Sequence, residues 1–578
     1  MRTNQRLVVL TVVLALTATV AVAPAAAATA VSVSVDAALQ IGTIPAGGVG
    51  INTAVYDPNM TRSDIPGVLS GAGIGTVRYP GGSYADAYHW QTNTVEGGGY
   101  VAPNTDFDTF MGTVNAAGAH PILTADYGSG TPDEAAAWVR YANVTKHYGV
   151  RYWEIGNEVY GNGEYGGAWE TDHHSSHSAT TYANNLVQYA SAMKAVDPSI
   201  KIGAVLTTPG SWPDGIVGPG DSADWNHTVL SIAATKVDFV IVHTYPSSTS
   251  EADLLTKPQA LIPSTAGAVR SLINQYAGTN APNVGIAITE ANATSYRDTA
   301  PNGLFAPDEY LTWLENGAFT VDWWDLHNGT DCTNLTTVDG ATEYNDYGMV
   351  SSGASCEPAL NTPFPAYRGT QMITKLGAAG DTLVKAGSSS ALLSAHAVRR
   401  ANGDVDVMLI NKDPNNSTTV SLSYSGFTPS SATPTVYSYL KNAGSIGSAA
   451  TGSATSQTVP AYSVVVVQTH PTSAACRVVY NKNEWPGGLI GNVSITNTSG
   501  NPINGWDLGF NFPGDTAITS VWDATVNQSG PSVNAGNVSY NAAVASGGTV
   551  SFGFKATWSA SDADPTAFWL NGPSCAIG

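Results

Sequence analysis

The chain has 578 residues, of which 43% are hydrophobic and 12% are charged, and its formal net charge is −21. A protein this acidic lacks the broad basic surface that binds phosphates, which argues against nucleic acid and anionic lipid as partners. The length is sufficient for three or four domains with cores of their own. A neutral ligand fits this composition better than a charged one.

The first 28 residues have the layout of a secretory signal peptide. Arg2 and Arg6 precede an apolar run over 7–22, which passes into the small-residue tract 23–28. This run is shorter than the ~20 residues that span a bilayer, and no later segment offers a second candidate. We therefore predict that residues 1–28 are removed and that the mature protein is secreted, extracellular and not attached to a membrane.

Eight short apolar runs, each followed by a stretch with helical periodicity, predict parallel strands joined by crossover helices. Eight such units over about 290 residues match the size of a (β/α)8 TIM barrel. An open doubly wound sheet is the alternative, but no GxGxxG motif follows the first run, and polar residues follow many runs instead of one. The runs are GVGIN (48–52), TVRYP (76–80), PILTADYG (121–128), RYWEIGNE (151–158), KIGAVL (201–206), FVIVHTYP (239–246), GIAITEAN (285–292) and FTVDWWDLHN (319–328).

The pattern changes after the barrel, predicted at 29–375, to short alternating runs interrupted by Gly, Ser, Asn and Pro. Such runs are typical of antiparallel β-sandwiches. They predict an accessory sandwich at 376–470 and, after a short linker at 471–475, a second sandwich at 476–578. The predicted fold class is therefore α/β, with a TIM barrel followed by two β-sandwiches.

Four cysteines in an exported chain indicate two disulfides rather than metal ligands. Three pairings are possible. Cys332 and Cys356 lie in one loop-like stretch, whereas Cys476 and Cys575 bracket the last domain, so we expect these two local pairs. None of the four has CxxC or zinc-site spacing, and we expect no metal and no cofactor.

Carboxylates follow two of the predicted strands, Glu158 after the fourth and Glu290 at the end of the seventh. A charged side chain is costly on a buried strand, but the carboxyl ends of barrel strands face the active-site bowl. Cleavage of a glycosidic bond requires two carboxylates, one protonated to donate to the leaving oxygen and one ionised to attack or to activate water. We predict that Glu158 and Glu290 are this pair; the alternative is that they are structural ion-pair partners.

Other polar and aromatic side chains are expected at the same rim. Arg78 follows the second strand, Asp126 the third, His243 and Tyr245 the sixth, and Trp324 the eighth. An Arg or Tyr beside a nucleophilic carboxylate can hold it ionised and oriented. A tryptophan offers an apolar face to a sugar ring. We predict that these residues contact the substrate, although any one of them, taken alone, is more often structural.

Four of these strand ends together resemble the clan-A glycoside hydrolases, and two of them most resemble the α-L-arabinofuranosidases of family 51. The resemblance covers about residues 40 to 470, since those enzymes also carry a β-sandwich beside the barrel. The motifs are RYPGG (78–82), WEIGNE (153–158), VHTYP (242–246) and ITE (288–290), of which RYPGG and the Asn-Glu pair point to family 51.

The resemblance implies roles for individual residues. Glu158 would be the acid/base and Glu290 the nucleophile of a retaining double displacement, with the carboxyl groups ~5 Å apart. Asn157 would bind the sugar 2-hydroxyl, and Tyr245 would assist the nucleophile.

The sequence departs from that family at two positions that hold the arabinose ring. The family has Glu after the first strand and Gln after the eighth, whereas this sequence has Asn52 at the first position and Asp325, His327 or Asn328 near the second. We expect Asn52 to contact the sugar. These departures leave an endo-β-glucanase or a xylanase of the same clan as the alternative.

Residues 476–578 resemble family 2 carbohydrate-binding modules, which bind crystalline cellulose or xylan through a flat row of aromatic rings. Trp485, Trp522 and Tyr540 occupy the positions of that row, and Trp506 matches a core position. The motifs are the terminal cysteines, NEW (483–485), GNVSITNTS, INGWDLGFNFPG, SVWDATVNQSG and PTAFWLNG.

The sequence therefore predicts a secreted, retaining α-L-arabinofuranosidase that acts on plant cell-wall polysaccharide and is held on cellulose or xylan by its terminal module. Its partners would be arabinoxylan, xylan or glucan as substrate and the cellulose surface. An alternative from a different class is a non-catalytic cellulose-binding protein. The presence of both Glu158 and Glu290 argues against that alternative.

Overall fold

The structure is a computed structural model that describes residues 31–472, 476–499 and 501–577. The predicted signal peptide at 1–28 lies outside the described residues, as does part of the predicted linker at 471–475. Within the described ranges, no helix combines the length and the apolar character needed to cross a membrane.

Eight parallel strands close into a barrel, and each of the eight predicted runs supplies one strand. The strands follow one another in chain order around the barrel, and the eighth pairs with the first, with Val321 opposite Val49. The prediction of a (β/α)8 barrel is confirmed. The strands are Val49–Asn52, Thr76–Tyr79, His120–Ala125, Tyr152–Ile155, Lys201–Val205, Phe239–Thr244, Gly285–Ala291 and Ala318–Trp323.

Helices connect these strands and pack against them in the largest hydrophobic core. Several helices begin at a side chain that caps the first turn: Ser178 Oγ accepts from the backbone N–H of Thr181 at 3.2 Å. Such a cap satisfies a donor that the helix itself leaves free. The helices are Ile65–Ala72, Phe107–Ala117, Pro132–Val139 with a π-helical continuation Arg140–Thr145, Ala179–Val196, Trp225–Ala233, Glu251–Tyr276, Ala300–Glu315 and Pro365–Leu376.

A nine-stranded sheet forms the second domain, and the first strand of the described residues belongs to it. Val31–Thr43 pairs antiparallel with Thr382–Ser388 and parallel with Thr418–Ser425. The prediction that the barrel domain starts at residue 29 is therefore wrong for this strand, because its alternating valines bury one face in the core of the sheet domain. The other strands are Leu393–Arg399, Val405–Asn411, Thr435–Tyr439, Gly447–Ala450, Ser456–Val459 and Ser463–Thr469.

A buried polar cluster joins this sheet to the barrel. Asp308, on the helix Ala300–Glu315, accepts from Lys412 Nζ at 2.8 Å and from Ser394 Oγ at 2.8 Å. His396 lies between two carboxylates of that helix, with Nε2 3.0 Å from Asp308 and Nδ1 2.8 Å from Glu315. The charges of the cluster are tolerated in the interior because each is paired.

The C-terminal domain contains a five-stranded and a four-stranded sheet around a separate core, which confirms the predicted second sandwich. Trp506 is buried in that core, as predicted. Disulfides join Cys476 to Cys575 and Cys332 to Cys356, so both predicted pairings are confirmed. The strands are Cys476–Trp485, Gly488–Asn497, Ile503–Asn504, Asp507–Asn511, Ala517–Trp522, Thr525–Ser529, Ser532–Gly536, Ala543–Val544, Thr549–Thr557, Phe568–Leu570 and Ala576–Ile577.

Candidate active site

Glu158 and Glu290 meet at the carboxyl end of the barrel. Glu290 lies within the seventh strand, and Glu158 follows the end of the fourth, where its positive φ of 37° turns the chain. One carboxyl oxygen of Glu158, one of Glu290 and a ring nitrogen of His243 all lie within 4.8 Å of one another. This approach fits the ~5 Å that separates the two carboxyl groups of a retaining glycosidase.

Two donors hold the Glu290 carboxylate. Arg78 Nη1 donates to Oε1 at 2.9 Å, and the Tyr245 hydroxyl donates to Oε2 at 2.7 Å, so the predicted contact between Tyr245 and Glu290 is present. Burial, together with the charge of Glu290, raises the pKa of Tyr245 well above its usual value, and the phenol keeps the proton that it donates. Both bonds fix the orientation of the Glu290 carboxylate.

Arg78 lies fully buried beneath the two carboxylates. It donates to Glu154 at 2.8 Å, to Asn52 at 3.0 Å and to Asn157 at 2.8 Å, in addition to Glu290. The prediction that Arg78 and Asn52 contact the substrate is corrected, since neither has any exposed surface. Both point to the interior of the barrel, where Arg78 orients the residues above it.

The environment of Glu158 is different. His243 Nδ1 lies 2.9 Å from its Oε1, and the indole N–H of Trp169 donates to its Oε2 at 3.0 Å. Burial by itself raises the pKa of Glu158, but the hydrogen bond and charge of His243 outweigh burial and lower it. Burial by itself lowers the pKa of His243, but the charges of Glu290 and Glu158 outweigh burial and raise it. The proton shared by Glu158 and His243 therefore resides on the imidazole in the free site.

Asn157 connects Arg78 to a third carboxyl group. Its side-chain amide donates to Glu170 Oε1 at 3.0 Å, and its backbone N–H donates to Asp86 at 3.0 Å. Burial and the charge of Glu158 raise the pKa of Glu170 to about 8, so this carboxyl is protonated at neutral pH. Sequence analysis missed Glu170 because it lies in a loop, away from any strand end.

Two further predicted substrate contacts are Asp126 and Trp324. Asp126 accepts from the backbone N–H of Ser129 at 2.9 Å and from its hydroxyl at 2.7 Å, and thus closes the turn after the third strand. The contact of Asp126 with a substrate stays a prediction. Trp324 is half-buried over Gly82, where a Cβ would lie 2.6 Å from the ring, and its contact with a sugar stays a prediction.

A cavity of about 260 Å³ opens beside the carboxylates and is lined by Glu158, His243 and Tyr245. Trp169 and Trp212, which sequence analysis did not single out, form part of its wall. They lie in the loops after the fourth and fifth strands. The signal that could have found them is a tryptophan in a glycine-rich loop at the carboxyl end of a barrel strand.

The C-terminal domain exposes the three predicted aromatic residues. Trp485 and Trp522 are each 41% exposed, and Tyr540 is 73% exposed. Each tryptophan lies opposite a glycine of the neighbouring strand: a Cβ would lie 2.7 Å from the Trp485 ring at Gly488 and 2.3 Å from the Trp522 ring at Gly553. The rings therefore lie against bare backbone, with the other face open to a ligand.

Residues 476–575 match the family model described as the cellulose binding domain. Endoglucanase B of Cellulomonas fimi is 30% identical over 221 residues, which are 38% of this chain and 20% of that protein. A probable α-L-arabinofuranosidase C of Aspergillus clavatus is 28% identical over 255 residues, 36% of this chain and 46% of that protein. The chain thus spans less than half the length of these curated relatives, which are glycoside hydrolases by name.

Among solved structures, the family 51 α-L-arabinofuranosidase of Thermotoga petrophila is similar with a TM-score of 0.60 and 19% identity, covering 76% of this chain and 100% of that one. At this identity the likeness concerns the fold, and in that respect the predicted resemblance is confirmed. The chain therefore combines the fold of the family 51 α-L-arabinofuranosidases, in its barrel and nine-stranded sheet, with a C-terminal segment that matches the cellulose binding domain.

Proposed function

We propose that the protein is a secreted, retaining α-L-arabinofuranosidase that removes side-chain sugars from plant cell-wall polysaccharide. The observation that carries this proposal is the pair Glu158 and Glu290, whose oxygens approach within 4.8 Å, each in a different electrostatic environment. Two carboxylates with different environments are what acid and nucleophile roles require. The arabinofuranosidase names among the relatives support the choice of sugar.

In the first step, an ionised oxygen of Glu290 attacks the anomeric carbon, and the bond from that carbon to the leaving oxygen breaks. Glu158 donates its proton to the leaving oxygen, so that an alcohol departs. His243 is 2.9 Å from Glu158 and supplies the proton that Glu158 passes on. Arg78 and Tyr245 hold the Glu290 carboxylate in position until the ester to the sugar has formed.

In the second step, Glu158 is ionised and accepts a proton from water, whose oxygen attacks the anomeric carbon. The ester bond breaks, Glu290 leaves as a carboxylate, and the sugar is released with its original anomeric configuration. Asn157 is assigned to binding the sugar 2-hydroxyl. Its side-chain amide accepts from Arg78 and donates to Glu170, so these two residues hold it in position.

The terminal domain would hold the enzyme on cellulose or on associated xylan through Trp485, Trp522 and Tyr540. Tethering raises the local concentration of arabinoxylan, xylan or glucan without changing the chemistry. Stacking of aromatic rings on sugar faces requires no net charge and no metal, in keeping with the acidic and weakly charged composition of the chain.

A second candidate is an endo-β-glucanase or a xylanase that uses the same two carboxylates. The exposed Trp169 and Trp212 beside Glu158 favour it, because several aromatic subsites along a cleft are what internal cleavage of a chain needs. The similarity to a protein named endoglucanase B points the same way.

The test compares the wild type with Glu290→Gln on aryl α-L-arabinofuranoside, β-xyloside and β-glucoside, and on soluble xylan and glucan. We expect release from the arabinofuranoside, a loss of at least ~10³-fold in the variant, and unchanged binding to cellulose. NMR of the first-formed sugar should show retention of configuration.

Other outcomes distinguish the alternatives. Hydrolysis of soluble xylan or glucan alone would support the endo-acting enzyme, and binding without hydrolysis of any substrate would support a non-catalytic cellulose-binding protein. Unchanged hydrolysis by Glu290→Gln would exclude Glu290 as the nucleophile.

A further inference from the structure

We propose that Trp169 and Trp212 form the binding site for the leaving group, where they stack on the pyranose rings of a neutral polysaccharide backbone. The proposal rests on the proposed function, because it takes Glu158 as the proton donor. It assigns the glycine-rich loop after the fourth strand and the loop after the fifth strand to recognition of the backbone from which the side-chain sugar is cut.

The two tryptophans are exposed although their rings are large and apolar. Trp169 is 42% exposed and Trp212 is 52% exposed, and both line the cavity that contains Glu158. Their ring centroids lie 5.4 Å apart with 49° between the ring planes, so that together they form an angled apolar wall. Adjacent exposed aromatic faces in a concave site indicate a ligand with apolar faces of its own.

The loop that carries Trp169 is built to hold these rings. A Cβ at Gly161 or at Gly167 would lie 2.4 Å from the Trp169 ring, and a Cβ at Gly167 would lie 2.6 Å from the Trp212 ring. The loop is closed by its own backbone, since Trp169 N–H donates to the Gly161 carbonyl at 2.8 Å and Gly163 N–H to the Gly167 carbonyl at 2.8 Å. The rings therefore pack on glycines where any other residue would push them away.

The contact between Trp169 and Glu158 decides which part of the substrate lies there. The indole N–H donates to Glu158 Oε2 at 3.0 Å, which places the ring beside the group that protonates the bridging oxygen. Glu290 attacks from the opposite side of the scissile bond. A sugar on Trp169 is therefore on the leaving side of that bond.

The cavity offers no free charge in its outer part, as far as the described residues that line it show. Lys257 is paired with Asp253 at 2.8 Å, and Glu309 is buried and accepts from Thr244 at 3.0 Å and from Trp313 at 3.1 Å. Neutral sugar rings, which present C–H groups on their faces, fit such a wall. The β-linked xylose units of xylan and the β-linked glucose units of glucan both have faces of this kind.

The kinetic test uses Trp212→Ala, because Trp212 does not hydrogen-bond to Glu158. The substrates are an oligosaccharide with the side-chain sugar on a xylose backbone and the glycosyl fluoride of the same sugar, whose leaving group is one atom. We expect kcat/KM on the oligosaccharide to fall about tenfold or more through KM, and kcat/KM on the fluoride to stay within about twofold.

The matched control is Tyr100→Ala, which removes a ring that is 59% exposed and lies outside the cavity. This variant should leave both substrates unaffected. If Trp212→Ala lowers kcat/KM equally for both substrates, or for neither, the leaving-group assignment is overturned.

A binding measurement decides the same question without catalysis. Calorimetry uses the full chain with Trp485→Ala, Trp522→Ala and Tyr540→Ala, which remove the aromatic row of the terminal domain. We expect this triple variant to bind xylotetraose or cellotetraose. When Trp212→Ala is added to the triple variant, the affinity for the tetraose should fall about tenfold or more. The tetraose that binds more tightly identifies the backbone.

Unchanged affinity in the Trp212→Ala protein, or no binding of either tetraose by its parent, would contradict the proposal. If the wild type hydrolyses no glycoside, the proposed function fails, whereas this binding measurement still decides whether the tryptophan wall binds sugar chains.

Discussion

Arg78 organises both halves of the active site from below. Its guanidinium has no exposed surface and bonds to four side chains, including Glu290 at 2.9 Å and Asn157 at 2.8 Å. A buried cation of this kind is stable only where its donors are satisfied and its charge is opposed, which Glu154 and Glu290 accomplish. One residue thus fixes the positions of Glu290 and of Asn157, the neighbour of Glu158.

His243 sets the pH dependence that we expect for the enzyme. Its pKa is raised above the ordinary 6.5 because the charges of Glu290 and Glu158 outweigh burial, so the proton that Glu158 passes on is retained up to a pH above 6.5. In His243→Gln the imidazole that holds this proton is absent, and Glu158 must hold the proton alone. The basic limb of kcat/KM against pH should therefore move to lower pH.

The control for this shift is His227→Gln. His227 lies on the helix Trp225–Ala233 and bonds to the Tyr276 hydroxyl at 2.8 Å, away from the carboxylates. The pH profile of kcat/KM for His227→Gln should match that of the wild type. If the basic limb does not move in His243→Gln, a group other than His243 supplies the proton.

At the residue scale the sequence identified the charged pair but not the direction of every side chain. Glu158 and Glu290 were predictable because each lies at the carboxyl end of an apolar strand, where a charged side chain is costly unless it is paired or faces the bowl. Asn52 ends such a strand too, yet it donates to the Thr289 carbonyl at 2.8 Å in the interior. Whether a side chain at a strand end points into the bowl or into the interior depends on how the barrel closes.

At the element scale, the strand pairs of the terminal domain explain why its tryptophans are exposed. Trp522 pairs with Gly553, and the missing Cβ leaves room for the indole to lie on the sheet. A Cβ at Gly553 would lie 2.3 Å from that ring, so Gly553→Ala must lift or turn it. We therefore expect affinity for cellulose to depend on Gly553 as well as on Trp522.

We expect Trp522→Ala to weaken binding to crystalline cellulose about tenfold, or ~1.4 kcal/mol, since a stacking residue is lost. Gly553→Ala should weaken it in the same direction without removing the ring. Ser551→Ala, an exposed change on the same strand, is the control and should bind as the wild type does. Adsorption isotherms on cellulose measure all three, and equal affinity in Trp522→Ala would remove Trp522 from the binding row.

The elements themselves were largely predictable and the loops were not. All eight barrel strands were indicated by their apolar runs, because strands buried on both faces need such runs. The loops with Trp169 and Trp212 carry no such period, and their shape depends on glycines that accept rings from elsewhere in the chain. Their place in the cavity beside Glu158 therefore follows only from the folded chain.

At the scale of the whole molecule, the cluster around Asp308 joins the barrel to the nine-stranded sheet. Burial lowers the pKa of His396, but the charges of Glu315 and Asp308 and their hydrogen bonds raise it to about 10. A group whose folded pKa is raised from 6.5 stabilises the fold fully below pH 6.5, and this stabilisation is lost as pH rises to about 10. The interface should weaken over that range.

The measurement is the apparent unfolding temperature as a function of pH between 6.5 and about 10. It should fall in the wild type and fall less steeply in His396→Gln, which has no such proton to lose. The control is His470→Gln, because the His470 side chain is 62% exposed beside Asp404. If the unfolding temperature falls with pH equally steeply in His396→Gln and in the wild type, groups other than His396 cause the loss of stability at alkaline pH.

The N-terminal strand shows the limit of local sequence at this scale. Val31–Thr43 pairs with Thr382–Ser388 across most of the barrel sequence, so nothing near it in the chain reveals its partner. Its alternating pattern predicts a strand, but not the domain that the strand completes. The first strand of the described chain therefore belongs to the second domain.

The sequence by itself determined the eight-stranded barrel, the two β-rich domains, the disulfide pairs and the two carboxylates, because apolar periodicity, cysteine position and an isolated charge on an apolar strand are local signals. Tertiary structure alone decided that Arg78 and Asn52 lie beneath the site, that Asp126 closes a turn, and that Trp169 and Trp212 line the cavity. These facts depend on contacts between residues far apart in the chain, which exist only once the barrel has closed.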